Sequence, residues 1–429
     1  MHESIKQQTL NVLSKGGRHL NIDMVFLGKG GFWLGLGQVS SSLSGLIVSV
    51  VLANVLPQET FGTYKFILSL AAIIAVPALA GLNTALIRAL AQGYDGTIRA
   101  VLHRKLVWGA VAFFLGIGIG TYYALHGNTA LANAVFIAAA FVPLMEIGNL
   151  YSAILVGTQQ LARHARYTVV LYAIATILIS GVALMTDNLY AVLLAYFGWW
   201  AAGRTFLLYL TLRTSAQKTN AVSSEALSLG THLSIIGILD IIASHIDQLV
   251  LFHFLGPLAV ARYAIAAAPV LHIVGFVQVL KPLAVTKFAG NKTPMTRASY
   301  FHKLVFSAGT LFLAALCYIL IAPFLFQLLF PGYLDAVVYT QVLSIAVIGG
   351  ISALNSSILV SLNATRELYL QSLASDAVQI VLIAFGAYAF GLWGVLIAFV
   401  TAKLFSLVFG TVQTSILLSK RNGTHQAPV

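Results

Sequence analysis

Long runs without an ionisable side chain alternate with short polar segments along the chain. Six runs contain no Asp, Glu, Lys or Arg: 30–58, 66–87, 106–145, 167–186, 304–334 and 337–365. About 20 apolar residues in a helix span the hydrocarbon core of a bilayer, so each run is long enough for one or two crossings. The pattern therefore predicts an all-α polytopic membrane protein.

Short breaks divide these runs into twelve predicted transmembrane helices. The stretch "HGNT" at 126–129 separates the third helix from the fourth, and Gly391 provides a very tight turn between the last two. The helices are predicted at 31–56, 63–83, 106–125, 130–157, 168–186, 189–212, 233–255, 260–285, 304–327, 337–363, 369–390 and 392–418.

Basic residues fall on alternate loops of this arrangement. Each loop is numbered by the predicted helix that it follows. Of the 24 Lys and Arg residues, 19 lie in the amino-terminal segment, the carboxy-terminal tail or the even-numbered loops, and the other five lie inside predicted helices. The odd-numbered loops carry no basic residue and only three acidic ones, Glu59, Asp187 and Asp335. Because cationic loops stay in the cytoplasm, both termini are predicted to be cytoplasmic.

Composition agrees with burial in lipid. Charged residues make up 8% of the chain and hydrophobic residues 59%, whereas a soluble domain has roughly 25% charged residues. The net charge of +12 is explained by the basic loops of a membrane protein and does not indicate nucleic acid. The single cysteine, Cys317, excludes an intramolecular disulfide and a cysteine metal cluster. Residues 1–29 lack the features of a signal peptide, so the first helix is expected to remain as an anchor.

Two short sequences recur about 200 residues apart. The stretch "VLPQETFGTYKF" at 55–66 aligns with "FLGPLAVARYAI" at 254–265 at an offset of 199, which places Gly62 on Ala261 and Tyr64 on Tyr263. The stretch "SAILV" at 152–156 returns as "SSILV" at 356–360, at an offset of 204. The two matches indicate a duplicated unit of six helices, and because both units begin on the same side, the repeats are parallel.

The duplication predicts the domain organisation. A cytoplasmic segment at 1–29 precedes a first lobe at 30–212, a linker at 213–232, a second lobe at 233–418 and a tail at 419–429. The two six-helix repeats are expected to face each other around a central cavity, as in a transporter.

Residues 41–92, "SSLSGLIVSVVLANVLPQETFGTYKFILSLAAIIAVPALAGLNTALIRALAQ", resemble the start of the polysaccharide-export (Wzx-like) flippases. The matching positions of the turn are Leu56, Pro57, Phe61, Gly62 and Tyr64, and those of the next helix end are Gly81, Leu82, Ala85, Leu86 and Arg88. The second half offers a similar stretch, "IDQLVLFHFLGPLAVARYAIA", at 246–266. Pro57 stands where the family usually has Gly, and Ala261 replaces the counterpart of Gly62.

This resemblance implies a fold of the multidrug/oligosaccharidyl-lipid/polysaccharide exporter superfamily, abbreviated MOP. It also implies translocation of undecaprenyl-diphosphate-linked oligosaccharide across a bacterial inner membrane, for O-antigen, capsule or exopolysaccharide assembly. The implied partners are the lipid-linked glycan, membrane lipid, a polysaccharide polymerase and a chain-length regulator. No organic cofactor or metal is implied, and coupling to H⁺ or Na⁺ is open.

Charged residues within the predicted helices are the candidate site, because a buried charge costs at least about 2.5 kcal/mol at a helix centre. A diphosphate or an acidic sugar requires cations, and a coupling ion requires carboxylates. The candidates for binding substrate are Arg204, Arg262, Lys403, Lys65 and Lys281, and those for ion coupling are Asp240, Asp247, Glu146 and Asp376.

Structural explanations compete with these roles. Helix depths counted from the turns suggest three ion pairs: Asp247 with Arg262, Asp376 with Lys403, and Glu146 with Arg204. Lys281 and Lys65 can also extend toward the membrane surface. The small polar stripe of the first helix favours helix packing over sugar contact; it contains Gln38, Ser41, Ser42, Gly45 and Ser49.

Other functional classes fit the sequence less well. Gly116 and Gly120 of "GIGIG" form a helix-packing motif rather than a nucleotide-binding loop, and "GKGG" at 28–31 lacks the spacing of an ATPase loop. A glycan polymerase needs a large outer loop, which this topology lacks. A cation-coupled multidrug antiporter on the same fold remains the alternative, although such exporters favour carboxylates in the cavity. A peptidoglycan-precursor flippase would usually have two more helices.

Overall fold

A computed structural model describes residues 24–214, 219–279, 297–362 and 364–424. These residues are almost entirely helical and contain no strand. The α-helices are α1 (Met24–Val55), α2 (Gln58–Ile74), α3 (Gly81–Ala91), α4 (Thr97–Leu125), α5 (Thr129–Gly148), α6 (Leu150–Gly157), α7 (Leu161–Met185), α8 (Leu189–Thr214), α9 (Ser224–Leu255), α10 (Pro257–Val279), α11 (Arg297–Leu329), α12 (Val337–Ser344), α13 (Ser352–Ser361) and α14 (Thr365–Thr424).

The described residues contain twelve membrane crossings, as predicted. Ten helical segments are long and apolar enough to cross, and the bent pair Gln58–Ile74 and Val76–Ala91 makes an eleventh. One of the ten, Thr365–Ser419, is 55 residues long and reverses direction at Gly391, so it crosses twice. The chain is therefore a multi-pass membrane protein.

The last two crossings form a hairpin about Gly391. This glycine has φ 60° and ψ −139°, a conformation that a residue with a Cβ adopts only with strain. Gln379 and Lys403 lie on opposite arms of the hairpin, each twelve residues from Gly391. Lys403 Nζ donates a hydrogen bond to Gln379 Oε1 at 2.9 Å, so the two arms run side by side. The predicted tight turn at this glycine is confirmed.

Three crossings are interrupted where the sequence predicted continuous helices. The second crossing breaks at a 3₁₀ turn, Val76–Ala78, which contains Pro77 and is followed by Leu79 at φ 54°. The fourth is interrupted at a single residue, Asn149, between α5 and α6. The tenth consists of α12, the 3₁₀ helix Ile345–Ile351 and α13. At Pro77 and at Ile345–Ile351, proline and tight 3₁₀ turns interrupt the regular backbone hydrogen bonding, whereas the sequence around both breaks stays apolar.

The two ends of the helix bundle differ. The short-turn end carries the turns that follow Val55, Leu125, Met185, Leu255, Leu329 and Phe390. The opposite end, here the basic end, carries helical extensions that begin earlier than hydropathy predicted, at Thr97, Leu161, Ser224 and Arg297. Charged side chains on these first turns, Arg99, Arg163, Glu225 and Arg297, lie beyond the apolar run, so their polarity had concealed the helix.

The two copies of the repeated turn pack against each other at the short-turn end. A Cβ built on Gly62 would overlap the carbonyl oxygen of Pro257, and the backbone nitrogen of Ala261 lies next to the same point. Because Gly62 and Ala261 are equivalent positions of the repeat, this contact lies near the axis that relates the halves. One turn further along, the rings of Phe66 and Phe252 stack with centroids 3.8 Å apart.

The sequence prediction of close packing at Gly116 and Gly120 is also confirmed. A Cβ at Gly116 would meet Ala139, and one at Gly120 would meet the ring of Phe136. Both contacts join α4 to α5, so the absence of side chains at these glycines allows the two helices to approach closely.

We expect the Gly62→Ala substitution to destabilise the protein by about 1–3 kcal/mol, because overpacking a close contact costs that much. The new methyl group would have to displace the backbone at Pro257. The matched control is Gly118→Ala, since a Cβ at Gly118 meets nothing within 4 Å and alanine favours a helix. Thermal unfolding midpoints in detergent measure both, and equal midpoints would contradict the role of Gly62.

Candidate functional site

A cavity lies between the two halves, in the part of the bundle nearer the short-turn end. It has a volume of ≈ 430 Å³ and adjoins a compartment of ≈ 390 Å³ on the side of the first half. The two spaces share Lys65, Leu68, Tyr196, His245 and Gln248, so together they form one central cavity. Its walls come from α1, α2, α5 and α8 of the first half and from α9, α10 and both arms of α14 of the second.

Lys65 lies where the two compartments meet. It is seven residues from the start of α2, so about 10 Å of helix separates it from the short-turn end. Its Nζ donates to Ser49 Oγ at 3.3 Å and lies 5.3 Å from the ring centre of Phe61. No carboxylate of the described residues lies within ion-pair distance, so its charge is available to an anion in the cavity.

Lys403 lines the opposite wall. Its Nζ donates to Gln379 Oε1, and Gln379 Nε2 in turn donates to the backbone oxygen of Ala243 at 2.6 Å, which fixes the lysine against α9. The ammonium is within electrostatic range of Asp376, Asp240 and Asp247. In the described part of the chain none of these carboxylates comes close enough for an ion pair, so the predicted pair of Lys403 with Asp376 is wrong.

Asp247 is buried in the wall of the cavity. It is 6% exposed, accepts a hydrogen bond from Tyr263 OH at 2.6 Å and accepts another from the backbone nitrogen of Gln248 at 2.8 Å. Its predicted pairing with Arg262 is wrong. Asp240 is exposed two turns nearer the basic end, and Asp376 is partly buried and accepts from Ser372 Oγ at 3.2 Å.

Arg262 is turned away from Asp247 and toward the short-turn end. Its guanidinium forms an ion pair with Asp335, with 2.8 Å between Nε and Oδ2, and both side chains are partly exposed. The arginine lines neither compartment of the central cavity. Lys281, the fifth predicted cation, lies outside the described residues.

Glu146 lines the compartment on the side of the first half and pairs with Lys105, a residue that the sequence analysis counted as a loop cation. The Lys105 side chain is 0% exposed, and its Nζ lies 3.7 Å from Glu146 Oε2 and 3.2 Å from the Glu146 backbone oxygen. The predicted pair of Glu146 with Arg204 is therefore wrong. Arg204 lies instead in a separate space within the first half.

We expect Lys105→Met to destabilise the protein by about 3–5 kcal/mol, because removing one partner leaves the other charge buried and uncompensated. The double substitution Lys105→Met with Glu146→Gln should recover most of this loss. The measurement is the thermal unfolding midpoint in detergent. A double variant no more stable than the single one would show that the pair does not account for the buried lysine.

An apolar groove meets the central cavity at one side chain. It has a volume of ≈ 420 Å³, lies between α1, α10 and α11, and is lined almost entirely by hydrocarbon, including Leu43, Leu46, Leu325 and Phe326. His272 belongs to the lining of both the groove and the central cavity. A polar space and an apolar space are thus adjacent across one imidazole ring.

Contacts between the halves close the short-turn end above the cavity. Asn54 Nδ2 donates to the backbone oxygen of Leu329 at 2.7 Å, and Gln58 Nε2 donates to that of Gly332 at 2.7 Å. The rings of Phe61 and Tyr333 meet edge to face with centroids 6.3 Å apart. These contacts join the first half to the second across the mouth of the cavity.

Two tyrosines of the site were not assigned from the sequence, although the repeat contained the signal. Tyr64 and Tyr263 occupy equivalent positions of the repeated turn, and both line the central cavity. Each is at most 2% exposed; Tyr263 holds Asp247, whereas Tyr64 packs edge to face on Tyr196. Repetition of an amphipathic aromatic residue at matched positions was the feature that could have identified them.

The fold and the cavity between two six-crossing halves define a multi-pass membrane transporter. A family profile described as "Polysaccharide biosynthesis protein" matches residues 27–286, which is more than half of the chain. The chain belongs to this family. No curated protein sequence matches it.

Solved structures share the fold at low sequence identity. A MOP superfamily transporter from Pyrococcus furiosus, described as having a binding pocket of reverse polarity, is 14% identical, with a TM-score of 0.66 over 92% of this chain and 95% of the other. The inward-facing form of a multidrug resistance MATE family transporter is 15% identical, with a TM-score of 0.71 over 90% of this chain and 96% of the other. Its outward-facing counterpart is 14% identical, with a TM-score of 0.66 over 93% of this chain and 96% of the other. The fold is that of MOP superfamily transporters.

Proposed function

We propose that the protein is a flippase that moves undecaprenyl-diphosphate-linked oligosaccharide from the inner to the outer leaflet of a bacterial inner membrane. Both termini lie in the cytoplasm, so the short-turn end faces outward. Lobes 30–212 and 233–418, joined by the linker 213–232, expose the cavity to each side in turn. Segments 1–29 and 419–429 remain cytoplasmic. A polysaccharide polymerase and a chain-length regulator act on the product.

The observation that carries this proposal is the junction of a polar cavity with an apolar groove at His272. A lipid-linked glycan has a polar, dianionic head and a long hydrocarbon tail. The head needs hydrogen-bonding and cationic groups to replace water, whereas the tail is stable in contact with Leu43, Leu325 and Phe326. A substrate of this kind fills both spaces at once.

The charges of the cavity favour an anion. Lys65 and Lys403 have no ion-pair partner in the described part of the chain, whereas the charge of Glu146 is balanced by Lys105. The two free ammonium groups are the binding sites for the diphosphate. Asp247, held by Tyr263 beside Lys403, is the carboxylate best placed to take up a coupling H⁺ or Na⁺, with Asp240 and Asp376 nearer the basic end.

A multidrug antiporter on this fold is the competing function. Among the described residues, an organic cation in the cavity would meet two lysines that form no ion pair, the buried carboxylate of Asp247, and Glu146, whose charge is balanced by Lys105. Like charges in a medium of low dielectric repel strongly. The lining therefore disfavours that substrate class.

The test is translocation by the purified protein in proteoliposomes. A polyprenyl-diphosphate glycan should reach the opposite leaflet, whereas the same glycan diphosphate on a short water-soluble chain should not be transported. Protein-free vesicles provide the background. Transport of an organic cation, with none of the lipid-linked glycan, would refute the proposal and support the antiporter.

A further inference from the structure

The first half contains a cavity of its own. It has a volume of ≈ 350 Å³ and lies between α1, the junction of α5 with α6, α7 and α8. None of its described lining residues belongs to the central cavity, and the packed rings of Tyr196 and Trp200 stand between the two spaces, with centroids 6.3 Å apart. This space is called the side cavity.

Arg204 in the side cavity has no anionic partner within the part of the chain that the structure describes. Among the described residues its guanidinium forms no ion pair, and its one specific contact is with the ring of Trp200, 4.7 Å from the guanidinium carbon. An arginine at bilayer depth is costly unless its charge serves a purpose or finds a counter-ion. The nearby Lys105 charge is balanced by Glu146, so Arg204 leaves one positive charge uncompensated among the described residues that line the side cavity.

Other lining groups resemble those of a sugar-binding site. Trp200 is 7% exposed, and its Nε1 donor has no partner in the described part of the protein, nor has Nδ1 of His164. The amides of Gln38 and Asn149 also line the space, with the hydroxyl of Ser41. Aromatic faces accept the apolar face of a sugar ring, whereas amides and hydroxyls replace the water around its hydroxyl groups.

We propose that the side cavity binds a carboxylate-bearing sugar unit of the transported glycan, with Arg204 holding the carboxylate through two parallel hydrogen bonds. This inference rests on the proposed function and names the substrate class. A single guanidinium balances a sugar carboxylate of charge −1, whereas a diphosphate dianion matches the two lysines of the central cavity. Planar two-point binding is the geometry that arginine offers a carboxylate. The volume of the side cavity falls within the usual range for small-ligand sites, about 300–1,000 Å³.

The test compares two lipid-linked glycans that differ at one sugar, glucuronate or glucose, in proteoliposomes. We expect Arg204→Gln to lower the ratio of the glucuronate rate to the glucose rate by about tenfold. The matched control is Arg213→Gln, which removes an exposed arginine that stacks on Tyr209 of the same helix, with 5.1 Å from the guanidinium carbon to the ring centre. This control should leave the ratio unchanged. If Arg204→Gln does not fold, Arg204→Lys takes its place; it keeps the charge but loses the two-point geometry, so it should also lower the ratio.

The outcomes separate the two proposals. An unchanged ratio in the Arg204 variant overturns the inference, and an equal loss for both glycans also overturns it, because the arginine would then contact the diphosphate common to both. Failure of the wild-type protein to move either glycan instead overturns the flippase function.

Discussion

Removing both free lysines of the central cavity, Lys65→Gln with Lys403→Gln, is expected to abolish translocation of a polyprenyl-diphosphate glycan. Each ammonium supplies charge-assisted hydrogen bonds to phosphate oxygens, and the loss of one such group should slow transport by about 10- to 100-fold. Neither lysine has an ion-pair partner among the described residues, so glutamine breaks no direct ion pair and the fold should survive, although Asp376, Asp240 and Asp247 lose the nearby charge of Lys403. Initial rates in proteoliposomes, normalised to folded protein, measure the effect.

The matched control for this prediction is Arg297→Gln. Arg297 also stacks on an aromatic ring, 5.7 Å from the centre of Phe301, but it is exposed at the basic end, and its loss should leave the rate near that of the wild type. The transport rate of an organic cation should change in the opposite direction and rise, since removal of two positive charges should favour entry of the cation. A double variant that moves the glycan at the normal rate would show that the diphosphate does not bind in this cavity.

Cross-linking the two halves at the short-turn end is expected to stop transport completely. A Cβ at Gly332 would lie 3.9 Å from Gln58 Nε2, so cysteines in Gln58→Cys with Gly332→Cys are close enough for a short reducible cross-linker. The link would prevent the separation that alternating access requires. The natural cysteine, Cys317, is exposed and is first replaced by serine. Rates before cross-linking, after it and after reduction measure the effect.

The control pair for cross-linking lies within the first half at the same end of the bundle. Tyr190 OH donates to the Ala130 backbone oxygen at 3.1 Å, so a cross-linker long enough to replace the tyrosine side chain can join Ala130→Cys to Tyr190→Cys, and this link joins no moving parts. This pair should leave transport intact. Full transport by the cross-linked Gln58→Cys, Gly332→Cys protein would rule out opening at the short-turn end.

The crossings were predictable because the membrane imposes a simple rule on the sequence. A span must be apolar for about 20 residues, and the loops that carry positive charge must alternate, so hydropathy and charge together determined the twelve crossings and the turns at "HGNT" and Gly391. The break at Pro77 was missed because it lies within apolar sequence, and the break at Asn149 was missed because it is one residue long with helix on both sides. Hydropathy responds to side chains, and a local change of backbone conformation does not alter it.

The charge partners were not predictable from the same information. Counting residues from a turn gives the depth of a side chain, but successive residues rotate by about 100° around the helix, so equal depth does not imply that two side chains face each other. Arg262 has the depth of Asp247 yet pairs with Asp335 at the short-turn end. Lys105 looked like a loop cation because it borders an apolar run, although α4 extends past it and buries it against Glu146.

By itself, the sequence determined the helical class, the twelve crossings, the duplication and most of the charged residues at membrane depth, with Lys105 the exception, since each depends on the order of residues along one chain. Only the tertiary structure decided which of those charges form ion pairs: Glu146 and Arg262 have partners, whereas Lys65, Lys403 and Arg204 face cavities and form no ion pair with any residue that the structure describes. The reason is physical, because balance of charge depends on a few ångströms between atoms of different helices, and packing of the whole bundle sets those distances.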